Sequence, residues 1–191
     1  MKNKMDTSLL TDELMKKLYA DIKEFRTTFM LPVENPAEFS EKSDSLHTSL
    51  FVEELIELAD ADNLIDIADS ITDQVYVLVG RVVELGHWVP EVTYIVSCLL
   101  KVAEIKEIDF VKCWDEVHAS NMSKLALNEE QLRENVKFYS SKGVELNPSK
   151  TEKGYVLKCA KDCIYKNSPV KEGKVMKSIF YKDADLSFVS A

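Results

Sequence analysis

The chain has 191 residues, 46% of them hydrophobic, which suits one domain or one domain with an appendage. A net charge of −9 and a pI near 4.9 argue against a general nucleic-acid binder or a ligand of anionic membranes, both of which need a basic surface. No run is apolar for long enough to span a bilayer, and Met1–Asp6 leads into no apolar signal core, so a cytoplasmic protein is expected.

In chain order, residues 8–29 read as a first helix. Ser8 or Thr11 can cap it, Asp12 and Glu13 suit its first turn, and Leu14, Leu18, Ile22, Phe25 and Phe29 form its apolar stripe. Leu31-Pro32-Val33-Glu34-Asn35-Pro36 ends it, because two prolines cannot continue a helix. Residues 37–45 are polar and read as a short helix or a loop. A second helix is expected over 46–60 and a third over 63–86, stopped by Gly86. Pro90 opens a fourth helix with a wide apolar face (Val92, Ile95, Val96, Leu99, Leu100, Val102). Asp109 caps a fifth, Phe110 to about Lys124, with Phe110, Cys113, Trp114 and Val117 inward. From about 126 the character changes. A short polar helix over 128–135 gives way to turns at Gly143 and Gly154, a strand at Tyr155–Leu157 and an extended stretch at Lys174–Lys177. The lysines crowd this tail, so a basic tail follows an acidic body. Cys98, Cys113, Cys159 and Cys163 form no CxxC pair and read as reduced thiols; Cys159 and Cys163 have the spacing of one helical turn.

The second and third helices carry the chemistry. Glu54 and Glu57 are three apart and share one side of the second helix. Asp66, Asp69 and Asp73 make an acidic row on the third. One turn beyond Asp73 the helix is apolar nearly all round, which places that residue at the edge of an interior. Buried carboxylates must be paired or bind a cation, and a hard divalent ion with waters left over for phosphate fits this set. The plainer reading, two solvated acidic faces, is what such rows mean on most surface helices.

These residues resemble the all-α nucleoside triphosphate pyrophosphatases, the superfamily of MazG-like enzymes and phosphoribosyl-ATP pyrophosphohydrolase. Glu54-Leu55-Ile56-Glu57 matches that superfamily's ExxE, and Asp73-Gln74-Val75-Tyr76 is similar to the ending of its ExxD helix. The family's Glu would fall at Ser70; the acid stands one residue earlier, as Asp69. A phage and bacterial branch of phosphoribosyl-ATP pyrophosphohydrolase-like proteins is resembled more widely: over Phe25–Pro36, over Trp114–Lys124 (WDEVHASNMSK) with Ile108-Asp109, and over Gly173–Lys177 (GKVMK).

The resemblance implies an all-α helical bundle of this type with a small irregular or β-containing C-terminal extension. The expected division is a helical metal-binding catalytic domain over 1–125 and an extension over 126–191 packed on it as a cover for the nucleotide site. It implies Mg²⁺-dependent hydrolysis, with Mn²⁺ as the other ion, of a nucleoside triphosphate or related nucleotide to monophosphate and pyrophosphate. Glu54, Glu57 and Asp73 are assigned to metal, with Asp69 as ligand or base and Glu53 as a weaker base candidate. Asn121, Lys124, Lys174 and Lys177 are the substrate-binding candidates. His118 reads as a structural histidine, and Phe29, Phe51 and Tyr76 as core before base-stacking platforms. A homodimer or dimer of dimers would bury the apolar fourth helix; neither nucleic acid nor membrane is an expected partner. The Ser70 departure keeps a second class open: a non-catalytic helical interaction protein derived from this family. Base and sugar preference are encoded by no motif.

Overall fold

The computed structural model describes residues 8–190; the leading segment read above for a signal core, Met1–Asp6, lies outside them. The chain forms two compact units. Residues up to His118, together with those from Asp185 onward, make the first, and Ala119–Ala184 make the second.

Five helices start in the first unit, and local chemistry sets most of their ends. Helix α1 (Asp12–Thr28) is capped by Thr11, whose hydroxyl accepts from the Leu14 N–H at 3.2 Å, with Asp12 and Glu13 in the first turn. After it, the proline-bounded segment 31–36 lies along the end of α3. Glu34 and Asn35 donate their N–H groups to the carbonyls of Val83 and Glu84 (2.8 and 2.9 Å), two of the orphan acceptors of a helix C-terminus.

Helix α2 (Glu41–Asp60) begins earlier than its hydrophobic pattern suggests. Ser40 accepts from the Ser43 N–H and starts the helix inside the stretch read as a short helix or loop. Helix α3 (Leu64–Leu85) is capped by Asn63 and stopped by Gly86, which adopts a left-handed φ of 80°. Helix α4 (Pro90–Ile105) has proline in its first turn, and α5 (Phe110–Met122) starts where the Asp109 carboxylate accepts from the Lys112 N–H at 3.1 Å.

The core is built on α3, which packs against α1, α2, α4 and a final 3₁₀ turn at Ser187–Ser190. From Gln74 to Glu84 only Val77 and Arg81 escape full burial, so this helix is enclosed nearly all round, as its composition requires. Trp114 of α5 is fully buried and donates its indole N–H to Asp21 at 2.8 Å. No helix among the described residues is long and apolar enough to cross a membrane.

The second unit joins α6 (Glu129–Ser141) to two antiparallel hairpins, β1 (Leu146–Thr151) with β2 (Gly154–Cys159) and β3 (Cys163–Tyr165) with β4 (Ser168–Val170). Helix α6 runs further than the polar segment read from sequence, because Tyr139 sits on its inner face. Tyr139 joins Ala126, Val144, Leu157, Cys159, Val170 and Met176 in a core of its own. Gly154 is required where it stands: its φ is 142°, and a Cβ there would meet the Ala126 carbonyl oxygen at 2.5 Å. The expected extended stretch at Lys174–Lys177 runs beside β2, where Met176 donates to the Leu157 carbonyl at 2.7 Å. Cys159 and Cys163, whose spacing suggested one helical turn, stand at the end of β2 and the start of β3 with their sulfurs 3.5 Å apart, both free.

Candidate active site on helices two and three

Helix α2 meets α3 along a seam of His47, Phe51, Glu54 and Leu58, at helical spacings of four, three and four. The Gln74 amide of α3 donates to the Glu54 carbonyl at 3.2 Å and ties the two helices together beside the acidic residues. Glu54 is half-buried, and its Oε2 is shut off from solvent with no hydrogen-bond partner. Burial, then the charges of Asp73, Glu57, Asp69 and Glu53, push its carboxyl up from 4.5 to about 7. Asp69 is also raised, by burial first and then by Glu57 and Asp66, although much of its own surface is open. Glu57 is exposed and Asp73 half-buried. Ser70, where the resembled pattern has Glu, is buried.

A contrasting cluster lies farther along the same helices. Glu84 Oε2 accepts from Arg26 at 2.5 Å and from His47 Nε2 at 2.9 Å, all three side chains being more than nine-tenths buried. Burial alone would raise the Glu84 carboxyl, but the His47 hydrogen bond and the Arg26 charge hold it below its ordinary value. Arg26 also donates to the Pro32 carbonyl at 2.7 Å, so the cluster fastens the proline segment.

A third group was not legible as a site. Asp21 and Glu24 of α1 and His118 of α5 place three ligand atoms within 4.8 Å of one another. Among the described residues this is the group that meets so closely; the α2 and α3 carboxylates are more widely spaced. His118 Nδ1 lies 3.1 Å from the Tyr76 hydroxyl, and its Nε2 lies 3.4 Å from Glu24. Asp21 is already engaged by Lys17 at 2.9 Å and by Trp114. One imidazole with two carboxylates is a possible metal-binding set, better suited to Mn²⁺ or Zn²⁺ than to Mg²⁺. Tyr76 links the two acidic regions: burial, then Asp73, then Asp21, raise its phenol. The i, i+3 spacing of Asp21 and Glu24 was the available signal, hidden among the charges of α1's polar side.

The substrate-binding candidates all lie in the second unit. Lys124 donates to Asn121 Oδ1 at 2.5 Å at the end of α5. Lys177 lies 4.0 Å from the centre of the Tyr181 ring, and Lys174 is exposed. Of the three aromatics weighed as base-stacking platforms, Phe29 and Tyr76 are core residues, whereas Phe51 is half-buried on the α2–α3 seam.

Comparison with known proteins gives one family. No curated protein and no solved structure matches the chain. The family model of phosphoribosyl-ATP pyrophosphohydrolase matches residues 22–92, from the middle of α1 through α2 and α3 into α4. Its members are pyrophosphohydrolases, typically Mg²⁺-dependent. Residues 22–92, with both acid-bearing helices, are thus a phosphoribosyl-ATP pyrophosphohydrolase domain of the all-α nucleoside triphosphate pyrophosphatase superfamily.

Proposed function

We propose that the first unit hydrolyses a nucleoside triphosphate, or a related nucleotide, to the monophosphate and pyrophosphate. The observation that carries this is Glu54. It holds a solvent-excluded carboxylate oxygen with no hydrogen-bond donor, in a neighbourhood of other carboxylates. Such an arrangement is costly for a merely structural residue and is relieved by a cation with oxygen preference. The donor set fits Mg²⁺, with Mn²⁺ as the other ion: Glu54, Glu57 and Asp73 are the proposed ligands, and Asp69 a ligand or the general base. When bound, the ion supplies charge neutralisation for the polyphosphate. Asp69, raised yet open to solvent, is suited to take a proton from an attacking water. From their positions in the resembled motifs, Lys124, Lys174 and Lys177 are proposed as phosphate contacts and Asn121 as a hydrogen-bonding contact to base, sugar or phosphate.

Pyrophosphate release from a panel of nucleotides tests the reading. It should require Mg²⁺ or Mn²⁺, stop with chelator, and fall on Glu57→Gln. Release by the chelated protein, or by Glu57→Gln at the parental rate, would overturn it. The alternative, a non-catalytic interaction protein, draws its support from the buried Ser70. It predicts no release from any nucleotide and a function indifferent to Glu57→Gln.

We also propose a homodimer or dimer of dimers. The apolar face of α4 expected to need a partner is mostly covered within the chain, with Val92, Val96, Leu99 and Leu100 buried; the support comes instead from Leu46, Val52, Leu55 and Ile56, which are exposed on α2. A monomeric mass by analytical ultracentrifugation at micromolar concentration would count against it.

A further inference from the structure

The second unit holds a pair of thiols that the proposed hydrolysis does not use. Cys159 ends β2 and Cys163 begins β3, and their sulfurs lie 3.5 Å apart with neither in a disulfide. A disulfide needs its sulfurs at about 2 Å, a gap that a small side-chain rotation closes.

The backbone around the pair is fastened. Cys159 donates its N–H to the Lys174 carbonyl at 2.9 Å, and its own carbonyl accepts from the Gly173 N–H at 2.8 Å. Ala160 donates its N–H to the Glu145 carbonyl at 2.9 Å. The Asp162 carboxylate accepts from the Glu172 N–H at 2.9 Å and pairs with Lys171 at 2.6 Å. Cys163 itself pairs with Val170 across the β3–β4 hairpin. The connection between the two cysteines is thus tied to Glu145, Lys171 and Glu172. The approach of the sulfurs follows from the fold of this unit and not from a loose loop.

The two sulfurs differ in access. Cys159 is 1% exposed and belongs to the core of the unit, its S–H donating to the Lys161 carbonyl at 3.1 Å. Cys163 is half-buried, so it is the one a reagent in solution reaches. Burial, then its contact with Cys159, raises the Cys163 thiol. It is therefore not the standing thiolate that a redox catalyst presents. The pair is placed to be modified, not to catalyse exchange.

We propose that Cys159 and Cys163 are a reversible disulfide site, a staple between the two hairpins that forms when low-molecular-weight disulfides become abundant. The Cys163 thiolate attacks one sulfur of such a disulfide and expels the other as a thiolate, leaving a mixed disulfide. The Cys159 thiolate then attacks the Cys163 sulfur and expels the second small thiolate. Two protein thiols lose two electrons and two protons, and one small disulfide becomes two thiols. In a reducing compartment the dithiol is the resting form, so the staple responds to oxidation instead of being permanent. Because the peptide groups of Cys159 hold Gly173 and Lys174, the cross-link tightens the start of the Gly173–Lys177 segment.

The test uses the full chain carrying Cys98→Ser, which removes an exposed competing thiol. It is incubated with glutathione disulfide under native conditions, and intact mass with peptide mapping reads the product. The protein should become lighter by two hydrogen atoms, with residues 159 and 163 cross-linked, and dithiothreitol should restore the mass. Cys159→Ser in the same background should instead retain one glutathione on Cys163. Amide hydrogen exchange at Cys159 and Gly173 should slow several-fold on oxidation. The inference is overturned if glutathione stays on Cys163 while Cys159 is present, or if neither cysteine reacts. Unchanged exchange at these amides after cross-linking would also overturn it.

Discussion

Glu54 and Glu84 lie in the same pair of packed helices, and the structure treats them in opposite ways. Glu84 is the more deeply buried, yet its carboxyl is held low, because Arg26 and His47 converge on one of its oxygens. Glu54 is only half-buried, yet its carboxyl is pushed up to about 7, by burial first and then by Asp73, Glu57, Asp69 and Glu53, with no cation beside it among the described residues to offset them. Burial costs both residues; the sign of the neighbouring charge decides the outcome. A carboxylate supplied with a counter-charge and a hydrogen-bond donor by its own fold holds the fold together. One left among like charges is waiting for something the chain does not provide.

Removing charge from the two sites should therefore have opposite effects on stability. The largest change is expected at the satisfied cluster. Glu84→Gln leaves Arg26 buried without its partner and should cost about 3–5 kcal/mol, read as a lowered midpoint in urea unfolding. A loss below about 1 kcal/mol would mean that this cluster does not anchor α3.

At the unsatisfied cluster, Glu57→Gln should reduce pyrophosphate release roughly 100-fold while leaving the fold intact. In chelator it should be no less stable than the parent, since it removes one of the like charges.

The pH dependence of the chelated protein sharpens the contrast. Glu54 titrates at 4.5 when unfolded and near 7 when folded, so the folded state holds the proton more tightly. Its contribution to stability is present below about 4.5 and is lost as pH rises to about 7, on the order of 1–2 kcal/mol after solvent screening. Glu84 runs the other way: its contribution is full above 4.5 and is lost as pH falls through its lowered folded value. Glu54→Gln should flatten the loss between pH 4.5 and 7, and Glu84→Gln should not. Chemical denaturation at a series of pH values in chelator reads both.

The smallest effect is expected at Asp69, the most open of the raised acids. Asp69→Asn should slow release by about tenfold and shift the acidic limb of the pH–rate profile, with little change in unfolding midpoint. A loss as large as that of Glu57→Gln with an unmoved pH profile would make it a metal ligand instead of the base.

Much of the fold was legible from the chain. Thr11, Asn63, Pro90, Asp109 and Gly86 each act on backbone groups a few residues away, so the starts of α1, α3, α4 and α5 and the end of α3 follow from local chemistry. The start of α2 was blurred because residues 41–45 carry almost no apolar stripe; the Ser40 cap was the better signal. The end of α6 was missed because Tyr139 is turned into a core assembled from β2, β4 and Met176, far along the chain. Among the candidate residues, Glu54, Glu57, Asp69 and Asp73 stood out by spacing. Arg26, His47 and Glu84 did not, since a charged residue in an amphipathic helix reads as a solvated one.

The sequence by itself determined where α1, α3, α4 and α5 begin, where α3 ends, and which face of α3 is apolar. Hydrogen-bond caps and helical periodicity act over a few residues, and those residues are adjacent in the chain. Only the tertiary structure decided which acid is neutralised and which is not. Arg26 reaches Glu84 across 58 residues and His118 approaches Glu24 across 94. Coulomb energy and desolvation depend on distance through space, which folding sets and spacing along the chain does not record.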